Sequence, residues 1–122
     1  MQVKDISDAA SQIKSILKLI CNHYVIAPGL ERHVGVGPSP EIQWALNEYL
    51  GNQNTSATIY TMPPDADIEN AETRRGWAEL DVLVDIDLWT DGVQSDLTAI
   101  FRIKVNQNKK CSVVSLYDVS VL

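Results

Sequence analysis

Apolar residues near the start of the chain recur at intervals of three and four, the spacing that places side chains on one face of a helix. We therefore predict a first helix over about 5–24, with Asp5 or Ser7 as its cap. Pro28 ends it, because proline cannot continue a helix. The predicted buried stripe comprises Ile6, Ala9, Ala10, Ile13, Ile16, Leu17, Ile20, Cys21 and Tyr24.

A second helix is predicted to start at Ser39-Pro40, where a capping hydroxyl precedes a proline at the first helical position. Gly51 is its expected end. Its buried stripe comprises Ile42, Ala45, Leu46, Tyr49 and Leu50, with Trp44 at one edge.

Beyond residue 54 the apolar positions alternate, which indicates strands. A short strand is predicted over 57–62, followed by an acidic loop over 65–76 that contains at most one helical turn. The next strand runs from 77 to 89, and Asp91-Gly92 predicts a two-residue hairpin loop after it. The predicted core face of this hairpin comprises Ala78, Leu80, Val82, Val84, Ile86 and Leu88 on the first strand and Leu97, Ala99, Phe101, Ile103 and Val105 on the second.

A two-residue loop at Asp91-Gly92 sets the expected register of the hairpin. It places Val84 opposite Ala99, and it places Asp81 opposite Arg102 as an ion pair on the outer face. A last strand is predicted over 111–122, with either a bulge or two covered faces where neighbouring apolar residues break the alternation. These breaks are Val113-Val114 and Leu116-Tyr117.

Helices followed by antiparallel strands predict a single α+β domain over residues 1–122. In it, two N-terminal helices pack on a curved four-stranded antiparallel sheet. This order resembles the cystatin-like and NTF2-like superfamilies, a resemblance that implies a sheet wrapped around a helix, with room for a pocket. In addition, the segments 87–92 and 95–98, with Tyr117-Asp118-Val119, resemble parts of small bacterial proteins of unknown function. That resemblance implies no catalytic residues.

The composition is typical of a globular domain: 122 residues, of which 45% are hydrophobic and 21% charged. Cys21 and Cys111 are far apart and form no CxxC motif, so we interpret both as reduced structural thiols. No apolar run approaches the length of a membrane span, and the first residues lack a signal-peptide pattern. We therefore predict a cytoplasmic bacterial protein without membrane contact, metal or cofactor.

The net charge of −6 is concentrated in one part of the chain, with nine of the sixteen acidic residues between Pro63 and Asp91. Nucleic-acid binding depends on Lys and Arg neutralising phosphates, so this charge argues against a nucleic-acid partner. An acidic surface can instead attract a basic protein. A cation site on alternate strand residues is not expected, because their carboxylates lie about 7 Å apart.

Two candidate sites follow from the two faces of the predicted sheet. The outer face carries apolar side chains among acids and is a candidate interface for a homodimer or a basic protein partner. Its residues are Trp77, Leu83, Asp85, Asp87, Trp89 and Ile100. The inner side is a candidate pocket for a small apolar ligand, lined by Tyr24, Trp44, Tyr49, Tyr60 and Phe101.

No acid or base is predicted on the core face of the two central strands, so no catalytic residue is assigned. Whether the chain is an enzyme is left open, although the pattern favours a non-enzymatic function. The favoured hypothesis is a binding or interaction protein of accessory or immunity type. The alternative is an NTF2-like small-molecule pocket, with or without hydrolase- or isomerase-type chemistry.

Overall fold

A computed structural model describes residues 1–23, 40–51, 59–76 and 80–121. The chain is α+β, as predicted, and its antiparallel sheet has five strands rather than four. After a 3-10 turn at Val3–Asp5, the elements are α1 (Ala9–His23), α2 (Pro40–Gly51), β1 (Tyr60–Thr61), α3 (Asp65–Glu69), β2 (Thr73–Arg75), β3 (Asp81–Thr90), β4 (Val93–Val105) and β5 (Cys111–Val121).

The sheet is built around β3. Its path is β1-β3-β4-β5, and β2 also pairs with β3, on a different part of that strand from β1. Tyr60 of β1 lies opposite Thr90, whereas Thr73 of β2 lies opposite Val84. The short helix α3, which agrees with the single helical turn predicted there, connects β1 to β2. In this strand order β5 is an edge strand, at the opposite end of the sheet from β1.

The start of α1 differs from the prediction. The helix begins at Ala9, because Asp8 adopts a positive φ of 67° and the Asp5 carboxylate accepts a hydrogen bond from the Gln2 N–H (3.0 Å) within the preceding turn. Neither Asp5 nor Ser7 therefore caps α1.

Ser7 contacts the sheet instead. Its N–H donates to the carbonyl of Lys109 (3.1 Å), and its carbonyl accepts from the N–H of Cys111 (3.1 Å). These two bonds attach the N-terminal segment to the start of β5.

The predicted core is confirmed on both layers. The α1 stripe is buried at Ile13, Ile16, Leu17 and Ile20. Leu80 is an exception, at 49% exposed, because it lies in the turn before β3 rather than in the strand. On the sheet, the buried side chains are Val84, Ile86, Leu88, Leu97, Ala99, Phe101 and Ile103.

The hairpin register is correct only near its loop. Thr90 pairs with Val93 around Asp91-Gly92, but the remaining pairs are displaced by two residues, so that Val84 faces Phe101 and not Ala99. A displacement of two keeps every side chain on its predicted face, because the side-chain period of a strand is also two. The core prediction is therefore correct despite the register error.

Ser95 stabilises this displacement. Its Oγ donates to the carbonyl of Leu88 (2.6 Å) and accepts from the N–H of Leu97 (3.2 Å). The hydroxyl thus replaces ladder hydrogen bonds where β4 holds extra residues.

The edge strand β5 contains the predicted irregularity. Its register against β4 shifts between Ile100 and Phe101, which leaves Tyr117 as an extra residue. A second shift, between Lys104 and Val105, leaves residue 112 unpaired with β4, whereas Val113-Val114 lie in regular ladder. The break at Leu116-Tyr117 is therefore confirmed as a bulge.

Within the described ranges, no helix is long and apolar enough to cross a membrane.

Candidate functional site

The outer sheet face is organised by two Arg–Asp pairs. Arg102 Nε donates to Asp81 Oδ2 at 2.8 Å, so the predicted ion pair forms. The two residues are diagonal neighbours on adjacent strands, because the residue directly opposite Asp81 is Lys104. Asp81 is only 4% exposed. Gly76 contributes to this burial: a Cβ at that position would lie 2.7 Å from the Asp81 Cβ, so only glycine permits the close approach.

The other two acids of β3, Asp85 and Asp87, also have partners. Arg74 Nη2 donates to Asp85 Oδ1 at 2.9 Å. Asp87 accepts one hydrogen bond on each carboxylate oxygen, from Gln94 Nε2 at 2.7 Å and from Thr98 Oγ1 at 2.8 Å. Both predicted interface acids are therefore engaged within the chain, which weakens the argument that they attract a basic partner.

The apolar residues of the predicted interface are less accessible than expected. Leu83 is 5% exposed, because it lies in register between Arg74 on β2 and Arg102 on β4, whose long aliphatic stems cover apolar surface. Trp89 and Ile100 are partly buried, and the Trp89 Nε1–H is buried without an acceptor among the described residues.

Trp77 lies outside the described residues. The described part of the outer face is therefore not an exposed apolar patch.

The acidic segment before β3 is tied to the N-terminal part of the chain. Lys14 Nζ lies 3.5 Å from Asp65 Oδ1 and 3.4 Å from Glu69 Oε1. The N-terminal ammonium lies 3.9 Å from Glu72 Oε2. These acids therefore have internal cationic partners, although exposed pairs of this kind stabilise a fold by only about 0–1 kcal/mol each.

The described residues of the predicted interior pocket lie in different environments. Phe101 is fully buried in the core, and the Tyr60 hydroxyl donates to the Leu46 carbonyl at 2.6 Å. The Tyr49 hydroxyl donates to the carboxylate of Asp96, an exposed residue of β4.

The remaining two pocket residues are also separate from this set. Trp44 is 65% exposed, and Tyr24 lies outside the described residues. Tyr60 and Phe101 are buried in the core, so the four pocket residues that the structure describes do not line one shared ligand site.

The buried Tyr60 predicts a loss of stability in alkaline solution. Burial raises the pKa of its hydroxyl well above the ordinary value of about 10. The unfolded chain therefore ionises first, and the free energy of unfolding should fall above pH 10, by up to about 1.4 kcal/mol per pH unit for this one group. Urea titrations at pH 9 to 11 measure the decline.

Tyr60→Phe should reduce this decline without abolishing it, because burial and the Asp96 hydrogen bond also raise the pKa of Tyr49. Tyr117→Phe, at an exposed position, is the control and should decline like the wild type. Equal slopes for all three proteins would contradict the prediction.

An apolar cleft with an acidic rim lies between α2 and β5. It has a volume of about 390 Å³ and is lined by Glu41, Trp44, Ala45, Asp118 and Val119; we call it the α2–β5 groove. Trp44 is its largest side chain and is mostly accessible to solvent. The groove thus combines an apolar floor with two carboxylates.

Two further exposed apolar residues lie on β5, close in sequence to the groove residues Asp118 and Val119. Tyr117 is 44% exposed at the bulge, and Val121 is 58% exposed at the end of the strand. The Asp118 Oδ1 accepts the backbone N–H of Val119 at 2.8 Å, which fixes the carboxylate at the strand. The sequence pattern does not indicate this surface, although it places Trp44 at the edge of the predicted stripe of α2.

Two further clefts in the described part of the chain have mixed polar and apolar linings. One of about 530 Å³ lies beside α1 and includes Lys4, Lys14 and Lys18, of which Lys14 is paired with acids. Another, of about 440 Å³, includes Asp85 and Asp87, whose carboxylates accept hydrogen bonds within the chain. No group of three His, Cys, Asp or Glu side chains among the described residues is arranged to hold a metal ion.

Both cysteines are free thiols and lie partly buried. Burial raises the pKa of Cys21 and of Cys111, so each holds less of the reactive thiolate at neutral pH than an ordinary cysteine does. This agrees with a structural and not a nucleophilic role for the two thiols.

Comparison with protein-family models, curated proteins and solved structures finds no match for this chain. Function is therefore inferred from the geometry of the chain itself.

Proposed function

We propose that this chain is a non-catalytic protein-binding protein, of accessory or immunity type, and that it binds its partner through the α2–β5 groove. The observation that carries the proposal is the exposure of Trp44, 65% accessible in a cleft beside the edge strand. Tryptophan is enriched among the residues that contribute most to protein interfaces, particularly where it lies in a pocket.

The position of the groove suits an extended partner segment. An edge strand offers backbone N–H and C=O groups that an incoming strand can pair with, while side-chain pockets beside it give specificity. The groove offers an apolar surface at Trp44, Ala45 and Val119, with Glu41 and Asp118 at its margin. A partner with a basic side chain next to its bound strand fits this combination best.

The groove is favoured over the outer sheet face for a physical reason. The carboxylates of Asp85 and Asp87 already have hydrogen-bond donors, and Leu83 is covered. A partner binding there would have to displace these donors, whereas Trp44 already exposes a large apolar surface.

Site-specific photo-crosslinking tests the proposal in cells that express the full chain. A benzophenone amino acid is placed at position 44, and matched variants carry it at Lys18, on the exposed side of α1, and at Asp85, on the outer sheet face. We expect a covalent protein adduct at position 44 and none at position 18. The mass of the adduct identifies its partner chain.

Position 85 distinguishes the two candidate surfaces. An adduct at 85 without one at 44 would transfer the binding site to the outer sheet face. Failure of all three positions to form an adduct would contradict a protein-binding function for either surface.

A further inference from the structure

The turn before β5 presents two lysines without acidic partners. Lys109 and Lys110 are both exposed, and no carboxylate oxygen of the described residues lies within 4 Å of either ammonium. Asn106 orders the turn, since its Oδ1 accepts from the backbone N–H groups of Asn108 (2.9 Å) and Lys110 (3.0 Å). The turn is therefore a defined cationic feature.

The opposite charge lies towards the other end of the same strand. Asp118 lies eight residues after Lys110 in the chain. It lines the α2–β5 groove together with Glu41 of α2. One strand thus connects a cationic turn to an acidic groove. Two such strands placed antiparallel would bring each turn to the other's groove.

No strand of the described residues pairs with the outer edge of β5. Among the described residues, the side of β5 away from β4 is paired only near Cys111, by Ser7. Residues 112–121 include no proline and no lysine, the residues that commonly prevent edge strands from pairing, and their single charge is Asp118. This leaves about seven to ten residues for a new ladder.

We propose that a second copy of this chain adds antiparallel to β5, about a two-fold axis near Ser115, and places its Lys110 in the α2–β5 groove. In this register the ladder begins at residue 112, directly after the segment that Ser7 pairs with, and ends at residue 118. Asp118 then lies opposite residue 112 of the second copy, with the second copy's Lys110 at the diagonal position, about 7–8 Å away and within reach of a lysine side chain.

The remaining contacts of this register are favourable. Tyr117 lies opposite Val113 of the second copy, an aromatic and β-branched pair that stabilises sheets. The ammonium of Lys110 from the second copy lies between Glu41 and Asp118. The aliphatic part of this lysine can pack on the Trp44 indole. Because the interface is isologous, both contacts form twice.

This inference rests on the proposed function, since it specifies the occupant of the same groove. Its test uses two single variants, Lys110→Glu and Glu41→Lys, at exposed positions where folding should be unaffected; circular dichroism and thermal unfolding check this. Lys18→Glu makes the same charge change as Lys110→Glu at an exposed position of α1 and is the matched control. Light scattering after size exclusion gives the mass over a concentration series.

Wild type and Lys18→Glu are expected at twice the 13.5 kDa chain mass at high concentration. Each single variant places like charges together twice, so its self-association should be at least about tenfold weaker. An equimolar mixture of the two variants should restore the dimer. In the mixed pair, the glutamate introduced in one chain meets the lysine introduced in the other, and the second contact is the wild-type one.

A wild type that stays monomeric at all concentrations overturns the inference. So does a dimer that both single variants keep, or two monomeric variants whose mixture remains monomeric. The proposed function is tested independently, because it requires only that position 44 forms an adduct with a protein. An adduct with a different protein would support the proposed function and exclude the second copy as the occupant of the groove.

Discussion

Phe101→Ala is expected to lower the free energy of unfolding by about 3–5 kcal/mol. Phe101 is fully buried on the inner face of β4, and its cross-strand neighbours Val84 and Leu116 are buried as well. Truncation there removes apolar surface and leaves a cavity that the two flanking strands cannot readily fill. Domains of this size are stable by only about 5–15 kcal/mol, so this single change could remove a large share.

Urea titration followed by circular dichroism measures the loss. Phe101→Leu keeps most of the volume and should cost clearly less. Ile100→Ala is the positional control, since Ile100 is the adjacent residue on the opposite, partly exposed face. A Phe101→Ala loss no larger than the Ile100→Ala loss would show that the helix layer does not pack tightly on β4.

The helix and strand positions could be predicted because they depend on local spacing. The apolar stripe of α1 and the alternation along β3 and β4 each identified side chains that the structure buries. Turn chemistry was equally informative, since Asp91-Gly92 forms the loop that its sequence indicates. Each of these features is determined by residues near one another in the chain.

The register and the fifth strand could not be predicted in the same way. The two-residue displacement depends on the hydroxyl of Ser95 replacing ladder hydrogen bonds, and a serine in a strand gives no distinctive pattern. The strand β2 has only three residues, two of them arginines, and it forms because β3 offers it an edge. Both features depend on partners that are distant in sequence.

The candidate site was missed for a related reason. The alternation along β3 places Leu83 on the solvent-facing side of the sheet. Leu83 is nevertheless buried, because Arg74 of the unpredicted strand β2 lies opposite it and contributes to covering its side chain. Conversely, Trp44 was assigned to a pocket, but the face of α2 that packs inward carries Ile42 and Leu46 and leaves Trp44 beside β5. Which surface stays open is decided by the packing of α2 on the sheet, information that sequence periodicity does not contain.

The two Arg–Asp pairs of the outer face should differ strongly in their contribution to stability. Arg102→Met is expected to cost about 3 kcal/mol, the lower end of the range for a broken buried pair. It would leave Asp81, 4% exposed, without its arginine, although Lys104 lies opposite and can compensate in part. The matched Arg74→Met removes the partner of the more exposed Asp85 and should cost at most about 1 kcal/mol.

A double-mutant cycle separates the cost of the lost charge pair from the cost of lost packing. Adding Asp81→Asn to Arg102→Met should recover part of the lost stability, because the neutral amide no longer requires a cation. Asp81→Asn alone removes the partner of Arg102, whose side chain is partly exposed and can be solvated. Urea titrations of the four proteins at neutral pH give the coupling energy. Equal losses for Arg102→Met and Arg74→Met would mean that the burial of Asp81 does not strengthen its dependence on Arg102, and that the outer face tolerates loss of either arginine.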